Sequence, residues 1–118
     1  MRLAFLLAIA GALGTLARYG LQLLLQPPVG GFPWGTLAVN LAGSFAIGFL
    51  LRYVPGGDMR IALTVGFCGA FTTMSAFSFE TVSLFQQQLY ARAALYVVAS
   101  VGGSLAATVA GLAAGHQL

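Results

Sequence analysis

Four long apolar stretches constrain the fold of this chain more than any other feature. They cover residues 3–25, 32–51, 61–79 and 93–115, which is 23, 20, 19 and 23 residues, and three of them contain no charge. An α-helix that rises about 1.5 Å per residue needs roughly 20 residues to cross a hydrocarbon layer of about 30 Å. We therefore predict an all-α membrane protein whose four transmembrane helices form a single domain over residues 1–118.

The composition supports a lipid environment and argues against several functional classes. Hydrophobic residues make up 59% of the chain and charged residues only 6%, which leaves too little polar surface for a soluble fold. Five scattered arginines, opposed only by Asp58 and Glu80, give the net charge of +3. Phosphate binding needs clustered cations, so no nucleic acid partner is expected. Cys68 is the only cysteine, which excludes an internal disulfide. His116 is the only histidine and has no catalytic companions, so we do not expect an enzyme.

The first stretch has a second interpretation, as a secretory signal peptide. Arg2 precedes an apolar run that ends in small residues, which is typical of such peptides. We favour a retained helix, because the apolar character resumes beyond Arg18 and three further stretches follow. Arg18 lies seven residues before the end of this stretch, where it would either anchor the helix at the interface or attract anions to an entrance.

The arginines favour neither orientation of a four-helix chain strongly. Four spans place both termini on one side of the membrane, with three arginines there and two opposite: Arg2, Arg52 and Arg60 against Arg18 and Arg92. A positive-inside bias this small does not select one orientation. Insertion both ways would allow an antiparallel dual-topology homodimer, and the alternative is a single orientation set by the lipid or by Asp58.

Two of the stretches carry ladders of small or uncharged polar residues at every fourth position. These are Thr36, Asn40, Ser44 and Gly48 in the second stretch, and Tyr96, Ser100, Ser104 and Thr108 in the fourth. Residues four apart share a helix face, so each ladder should face protein, and close helix packing alone would explain it. Asn40 suggests a function, because a carboxamide in the middle of an apolar span is costly unless its polar atoms are used.

The third stretch contains a weak helical segment, GFCGAFTTMSAFSFE, at residues 66–80. Its glycines weaken a helix and the β-branched Thr72 and Thr73 can bond to the backbone, so we predict a break near residues 69–73. A break inside the membrane frees carbonyl oxygens, and two from each of two chains would supply four ligands to a monovalent cation. A continuous helix packed closely through its glycines is the alternative.

An anion suits the polar residues of these spans better than a cation does. A cation pathway favours rings of acidic residues, and Glu80 lies only at the predicted polar end of the third span. Uncharged groups can donate hydrogen bonds to an anion, and the candidates are Asn40, Thr73, Ser75, Tyr96, Ser100 and Ser104. The partly positive ring edge of Phe77 could also contact a small anion, although plain packing is its simpler role.

Three segments together resemble a known family, the Fluc (CrcB-type) fluoride channels. GALGTLARY (11–19), GTLAVNLAGSFAIGFL (35–50) and GFCGAFTTMSAFSFE are similar to its first-helix, second-helix and third-helix-break signatures. The resemblance covers nearly the whole chain. It implies a multi-pass protein of the bacterial inner membrane, an antiparallel dual-topology homodimer that passively exports fluoride through two pores. It also implies a structural sodium ion at the dimer interface.

The resemblance assigns roles to individual residues of this chain. It implies that the backbone carbonyls of Gly69 and Thr72 bind the sodium ion. It places Asn40, Phe77, Ser75, Tyr96, Ser100 and Ser104 along the fluoride pathway, with Arg18 in the first-helix motif and Glu80 just past the break. Met74 stands where the family usually has a phenylalanine. Because methionine lacks an aromatic edge, we expect fluoride conduction to be retained at an altered rate.

Two other functions remain as alternatives. Small multidrug transporters also have four spans, but proton-coupled export needs a carboxylate inside the membrane. Glu80 would fill that role only if the third span runs deeper than predicted. The other alternative is a non-transporting assembly subunit, which the polar ladders alone do not exclude. Anion flux without a proton gradient would separate these possibilities.

Overall fold

The computed structural model describes residues 1–117 as helices joined by short connections. Helix α1 is Arg2–Leu24 and α2 is Trp34–Tyr53; α3 covers residues 58–71, α4 is Met74–Gln86 and α5 is Tyr90–Gln117. Helices α3 and α4 form one span, so the described chain has four helical spans that are long and apolar enough to cross a membrane. The predicted all-α fold with four spans is confirmed.

The third span is longer than predicted, while the first two differ from prediction by one or two residues at their ends. It runs over Asp58–Gln86, 29 residues, where the prediction was residues 61–79. Glu80 therefore lies within helix α4 and does not end it. The prediction ended the span at a charge, but two hydroxyl groups donate hydrogen bonds to the Glu80 carboxylate, which makes an interior position tolerable.

The glycine-rich half of this span is helical but wound more widely than an α-helix. Its central part, Ala62–Cys68, is π-helical. Helix α1 lies close against it: a Cβ added to Gly66 would be 2.9 Å from the Cβ of Ala10, and one added to Gly14 would clash with the backbone of α3. The glycines thus allow α1 to approach α3, and the chain does not break at them.

The break itself lies at Thr72 and Thr73. Both residues are extended, with φ −84° and ψ 158° at Thr72 and φ −149° and ψ 113° at Thr73. Thr73 then caps α4, because its hydroxyl accepts a hydrogen bond from the Ala76 N–H at 3.1 Å. The predicted break near residues 69–73 is confirmed, and the continuous-helix alternative is wrong.

Helices α2 and α5 approach each other closely through glycines. A Cβ added to Gly48 would lie 3.0 Å from the backbone nitrogen of Leu112, and one added to Gly115 would lie 2.8 Å from the carbonyl oxygen of Phe49. Small residues at such contacts let helix backbones come together in a membrane. This packing brings Asn40 and Ser44 of the α2 ladder to the same groove as Ser100, Ser104 and Thr108 of the α5 ladder.

Candidate functional site

An uncharged groove of about 470 Å³ lies beside the helix break. Its walls come from α2, the end of α3, the break, the first turns of α4 and the middle of α5. None of the described residues that line it is charged. They are Asn40, Gly43, Ser44, Ile47, Cys68, Gly69, Thr72, Thr73, Met74, Phe77, Ser100, Val101, Ser104, Leu105 and Thr108. The groove therefore gathers all the predicted site residues except Arg18, Ser75 and Tyr96.

A second, more polar cavity of about 500 Å³ lies on another side of the break. Arg18 and Ser75 line it, together with Thr15, Ala70 and Ala76. The two cavities share the segment of residues 72–74, which lines both of them. Residues 72–74 thus separate a cavity lined by the positively charged Arg18 from the uncharged groove.

Asn40 holds the break in place with its side-chain amide. Its Oδ1 accepts a hydrogen bond from the Thr73 N–H at 2.8 Å, and its Nδ2 donates to the Thr73 carbonyl at 3.2 Å. These two bonds replace helical bonds that the extended residues cannot make, which is how a break is tolerated inside a membrane. Hydrogen bonds to the Thr73 backbone therefore offset the free-energy cost of burying the Asn40 carboxamide in the middle of a span. The second proton on Nδ2 is left for another acceptor.

The break frees backbone carbonyls at its edge. In a continuous helix the Thr73 N–H would bond to the carbonyl of Gly69, but here it bonds to Asn40. Similarly, the Ala76 N–H would bond to the carbonyl of Thr72, but it bonds to the Thr73 hydroxyl. Both carbonyls named in the predicted cation site have thus lost their helical partners.

Arg18 points toward the break from α1 and is half-buried. Its Nε donates to the carbonyl of Ala70 at 3.1 Å, and its Nη1 donates to Oε1 of Gln22 at 3.2 Å. The side chain also lines the second cavity.

A chain of hydrogen bonds continues from Gln22 across the helix bundle. Gln22 Nε2 donates to Thr36 Oγ1 at 3.0 Å, Thr36 Oγ1 donates to Glu80 Oε2 at 3.0 Å, and the Tyr96 hydroxyl donates to Glu80 Oε1 at 2.8 Å. Thr36 is 2% exposed and Tyr96 is not exposed at all. The chain links α1, α2, α4 and α5. Sequence reasoning missed this role of Gln22, although its spacing of four from Arg18 placed both on one face of α1.

Tyr96 lies outside the groove, in contact with one of the residues that line it. Its ring centroid is 5.2 Å from that of Phe77, and its hydroxyl proton is directed to Glu80. The predicted ladder on α5 is therefore divided. Ser100 and Ser104 line the groove, whereas Tyr96 lies outside it and packs against Phe77.

Ser100 presents a buried hydroxyl in the wall of the groove. The residue is 5% exposed, and its Oγ has no hydrogen-bond partner among residues 1–117. Buried polar groups are almost always paired, so an unpaired one points to a ligand or solvent partner.

The remaining predicted site residues lie at the first turn of α4. Met74 stands at the rim of the groove and is 71% exposed. The hydroxyls of Ser75 and Thr73 lie 3.2 Å apart.

Comparisons with known proteins identify the family of this chain. The profile described as "CrcB-like protein, Camphor Resistance (CrcB)" matches residues 5–112. A protein of Rhizobium etli (strain CIAT 652) is 44% identical over 118 residues, and one of Rhizobium leguminosarum bv. trifolii (strain WSM2304) is 46% identical over 118 residues, each alignment covering 93% of both chains. A protein of Thermus thermophilus is 48% identical over 101 residues, covering 81% of both. All three are named fluoride-specific ion channel FluC. The profile spans most of the chain, which therefore belongs to the CrcB family.

Proposed function

We propose that this chain forms a fluoride-selective channel through which fluoride leaves the cell passively, down its electrochemical gradient. The observation that carries the proposal is the uncharged groove at the break, where the buried Ser100 hydroxyl has no partner within residues 1–117. A small anion that gives up its water needs such donors in return. The names of the relatives, fluoride-specific ion channels, indicate which anion this is.

The two cavities suggest a route for the ion. Fluoride collects in the cavity beside Arg18, whose positive charge raises the local anion concentration. It passes the break and is then solvated in the groove by the remaining Asn40 proton and by the hydroxyls of Ser100 and Ser104. The ring edge of Phe77 adds a weak partly positive contact. Larger halides are rejected because they fit the groove poorly and form weaker hydrogen bonds.

The working unit in this proposal is an antiparallel homodimer. Met74 is 71% exposed at the rim of the groove, so a second chain would complete a wall that one chain leaves open. The small arginine bias allows a second chain to insert in the opposite orientation. Two inverted copies would then enclose two equivalent pathways.

A sodium ion held between the two copies would stabilise the dimer. Gly69 and Thr72 each offer a carbonyl without its helical partner, which gives four oxygens from two chains. Among residues 1–117 no three His, Cys, Asp or Glu side chains are grouped to hold a metal, so backbone oxygens are the suitable ligands. We expect sodium to raise the thermal unfolding temperature of the detergent-solubilised dimer above that in N-methylglucamine at equal ionic strength. Equal unfolding temperatures would count against the ion.

Fluoride efflux from liposomes that contain only the purified protein tests the proposed function. We expect efflux from the wild type and a changed rate in Met74→Phe, because phenylalanine restores an aromatic edge at the rim of the groove. Phe79→Met is the matched control: Phe79 is 74% exposed on the same helix and does not line the groove, so this variant should match the wild type. Robust efflux in Met74→Phe beside none in the wild type would refute conduction by the native chain.

One observation supports the multidrug transporter alternative: Glu80 lies within the helices of the third span. Its carboxylate, however, is engaged by Thr36 and Tyr96 and does not line the groove. Fluoride efflux without a proton gradient would exclude coupled export. A purified protein that gives no ion flux at all would instead support the non-transporting assembly subunit.

A further inference from the structure

We propose that the adjoining ends of α2 and α5 bind the headgroup of an anionic phospholipid, with Arg52 and His116 as the ligands of its phosphate. Neither residue lines the uncharged groove or the cavity beside Arg18. The site is therefore separate from the proposed fluoride pathway, and its existence does not depend on conduction.

Arg52 and His116 form a pair of hydrogen-bond donors at this end of the bundle. They stand in the last turns of α2 and α5, and both are exposed. Nη1 of Arg52 lies 3.2 Å from Nδ1 of His116. Because a guanidinium group only donates, the imidazole accepts with Nδ1 and carries its ring proton on Nε2. The contact thus holds the remaining guanidinium N–H groups beside the Nε2–H group, and such donors suit phosphate oxygens.

Close packing of α2 against α5 brings the two side chains together. A Cβ added to Gly115 would lie 2.9 Å from the Cβ of Arg52, and one added to Gly111 would clash with the carbonyl oxygen of Phe45. The last turns of the two helices are therefore in direct contact. Their terminal carbonyls carry partial negative charge, which the Arg52 guanidinium offsets.

The charged residues at this end of the bundle favour an anion. Three arginines, Arg2, Arg52 and Arg60, lie at the ends of the spans here, against a single acidic residue, Asp58. The other acidic residue of the chain, Glu80, lies in α4 and is bonded to two hydroxyl groups of the bundle. Basic residues next to a membrane span attract anionic headgroups.

The helix faces next to the two donors are apolar and open, which favours a lipid over a free anion. Two turns before Arg52, on the same face of α2, lies Phe45, which is 41% exposed. Two turns before His116, on the same face of α5, lies Val109, which is 65% exposed. By helix rise, both lie about 10 Å deeper in the membrane than the donors. A phospholipid matches this combination of polar end and apolar strip, whereas free phosphate would use only the donors.

Quenching of tryptophan fluorescence by brominated lipids tests the proposal at the site itself. Trp34 is the only tryptophan and lies at the other end of α2, so Trp34→Phe combined with Tyr53→Trp moves the probe beside Arg52. Tyr53 is 53% exposed, which gives lipids access to the probe. In mixed bilayers we expect brominated phosphatidylglycerol to be preferred about fivefold over brominated phosphatidylcholine, as one arginine at an anionic surface provides.

Three variants of this protein separate the site from the general charge of the membrane end. Arg52→Gln should abolish the preference, and His116→Ala should lower it without abolishing it, because the guanidinium charge remains. Arg60→Gln is the matched control. It removes the same charge from the same end, but Arg60 donates to the carbonyl of Leu51 at 3.3 Å and not to His116. This control should keep most of the preference, and a loss equal to that of Arg52→Gln would overturn the site.

Other results would also overturn the proposal. These are equal quenching by both lipids in the Tyr53→Trp protein, and an unchanged preference in Arg52→Gln. Removal of the preference by excess inorganic phosphate at constant ionic strength would identify a free-anion site instead of a lipid site. If Arg52→Gln does not elute as folded protein, His116→Ala decides, since an unchanged preference there would contradict the assigned pair. The quenching result holds whether or not the protein conducts fluoride.

Discussion

Asn40→Asp is expected to reduce fluoride efflux to roughly one-hundredth of the wild-type rate or less, since each ~1.4 kcal/mol added to the barrier slows passage about tenfold. The substitution removes the Nδ2 donor to the Thr73 carbonyl, and an unsatisfied buried group costs about 1–3 kcal/mol. It also places a negative charge in a groove that otherwise has none among its described lining residues. The initial rate of efflux from liposomes measures the effect.

Two further variants separate the effect of the added negative charge from the effect of losing the Asn40 contacts at the break. Ser44→Asp adds a carboxylate one helical turn away in the same groove and leaves the Asn40 contacts intact, so it should lower efflux through charge alone. Asn40→Leu removes both contacts to Thr73 without adding charge, and we expect it to lose efflux as well. If Asn40→Leu folds, elutes as the wild type does and conducts normally, Asn40 does not hold the break for conduction.

Cysteine labelling should find the chain in both orientations. Val29 is 99% exposed in the connection between α1 and α2, so Val29→Cys in a Cys68→Ser background offers one accessible thiol. If insertion is unbiased, a membrane-impermeant maleimide added to intact cells should label about half of the chains, because a difference of one arginine does not select an orientation. The remainder should react only after the membrane is permeabilised.

A cysteine on the opposite side controls for this experiment. Gly56 lies in the connection between α2 and α3, where a Cβ would meet no atom within 4 Å. Gly56→Cys should also label about half of the chains in intact cells if both orientations exist. A single orientation would give nearly complete labelling at one of the two positions and almost none at the other.

The features that local chemistry determines could be predicted from the sequence. Apolar length predicted the four spans, and the β-branched Thr72 and Thr73 predicted the break where it lies, whereas the neighbouring glycines remain helical. The prediction ended the third apolar stretch just before Glu80, because it treated a charge as the end of a span, whereas the helix continues to Gln86. Whether a charge can lie inside depends on partners such as Thr36, 44 residues away, which helical periodicity does not identify.

The candidate site could be predicted as a set of residue types but not as a geometry. The ladder spacing identified Asn40, yet its bonds to Thr73 join residues 33 apart. Likewise, Tyr96 was expected to donate to an anion, but its proton is directed to Glu80. Sequence pattern identifies which groups can donate, whereas only the packed helices determine where each proton points.

The central claim is that the groove at the helix break selects fluoride and conducts it passively. The most direct test is the reversal potential of the current through purified wild-type protein in a planar bilayer with a fluoride gradient. We predict that it follows the equilibrium potential of fluoride and does not move when a chloride or proton gradient is added. A reversal potential that follows chloride or protons, or the absence of any fluoride current, would contradict the account.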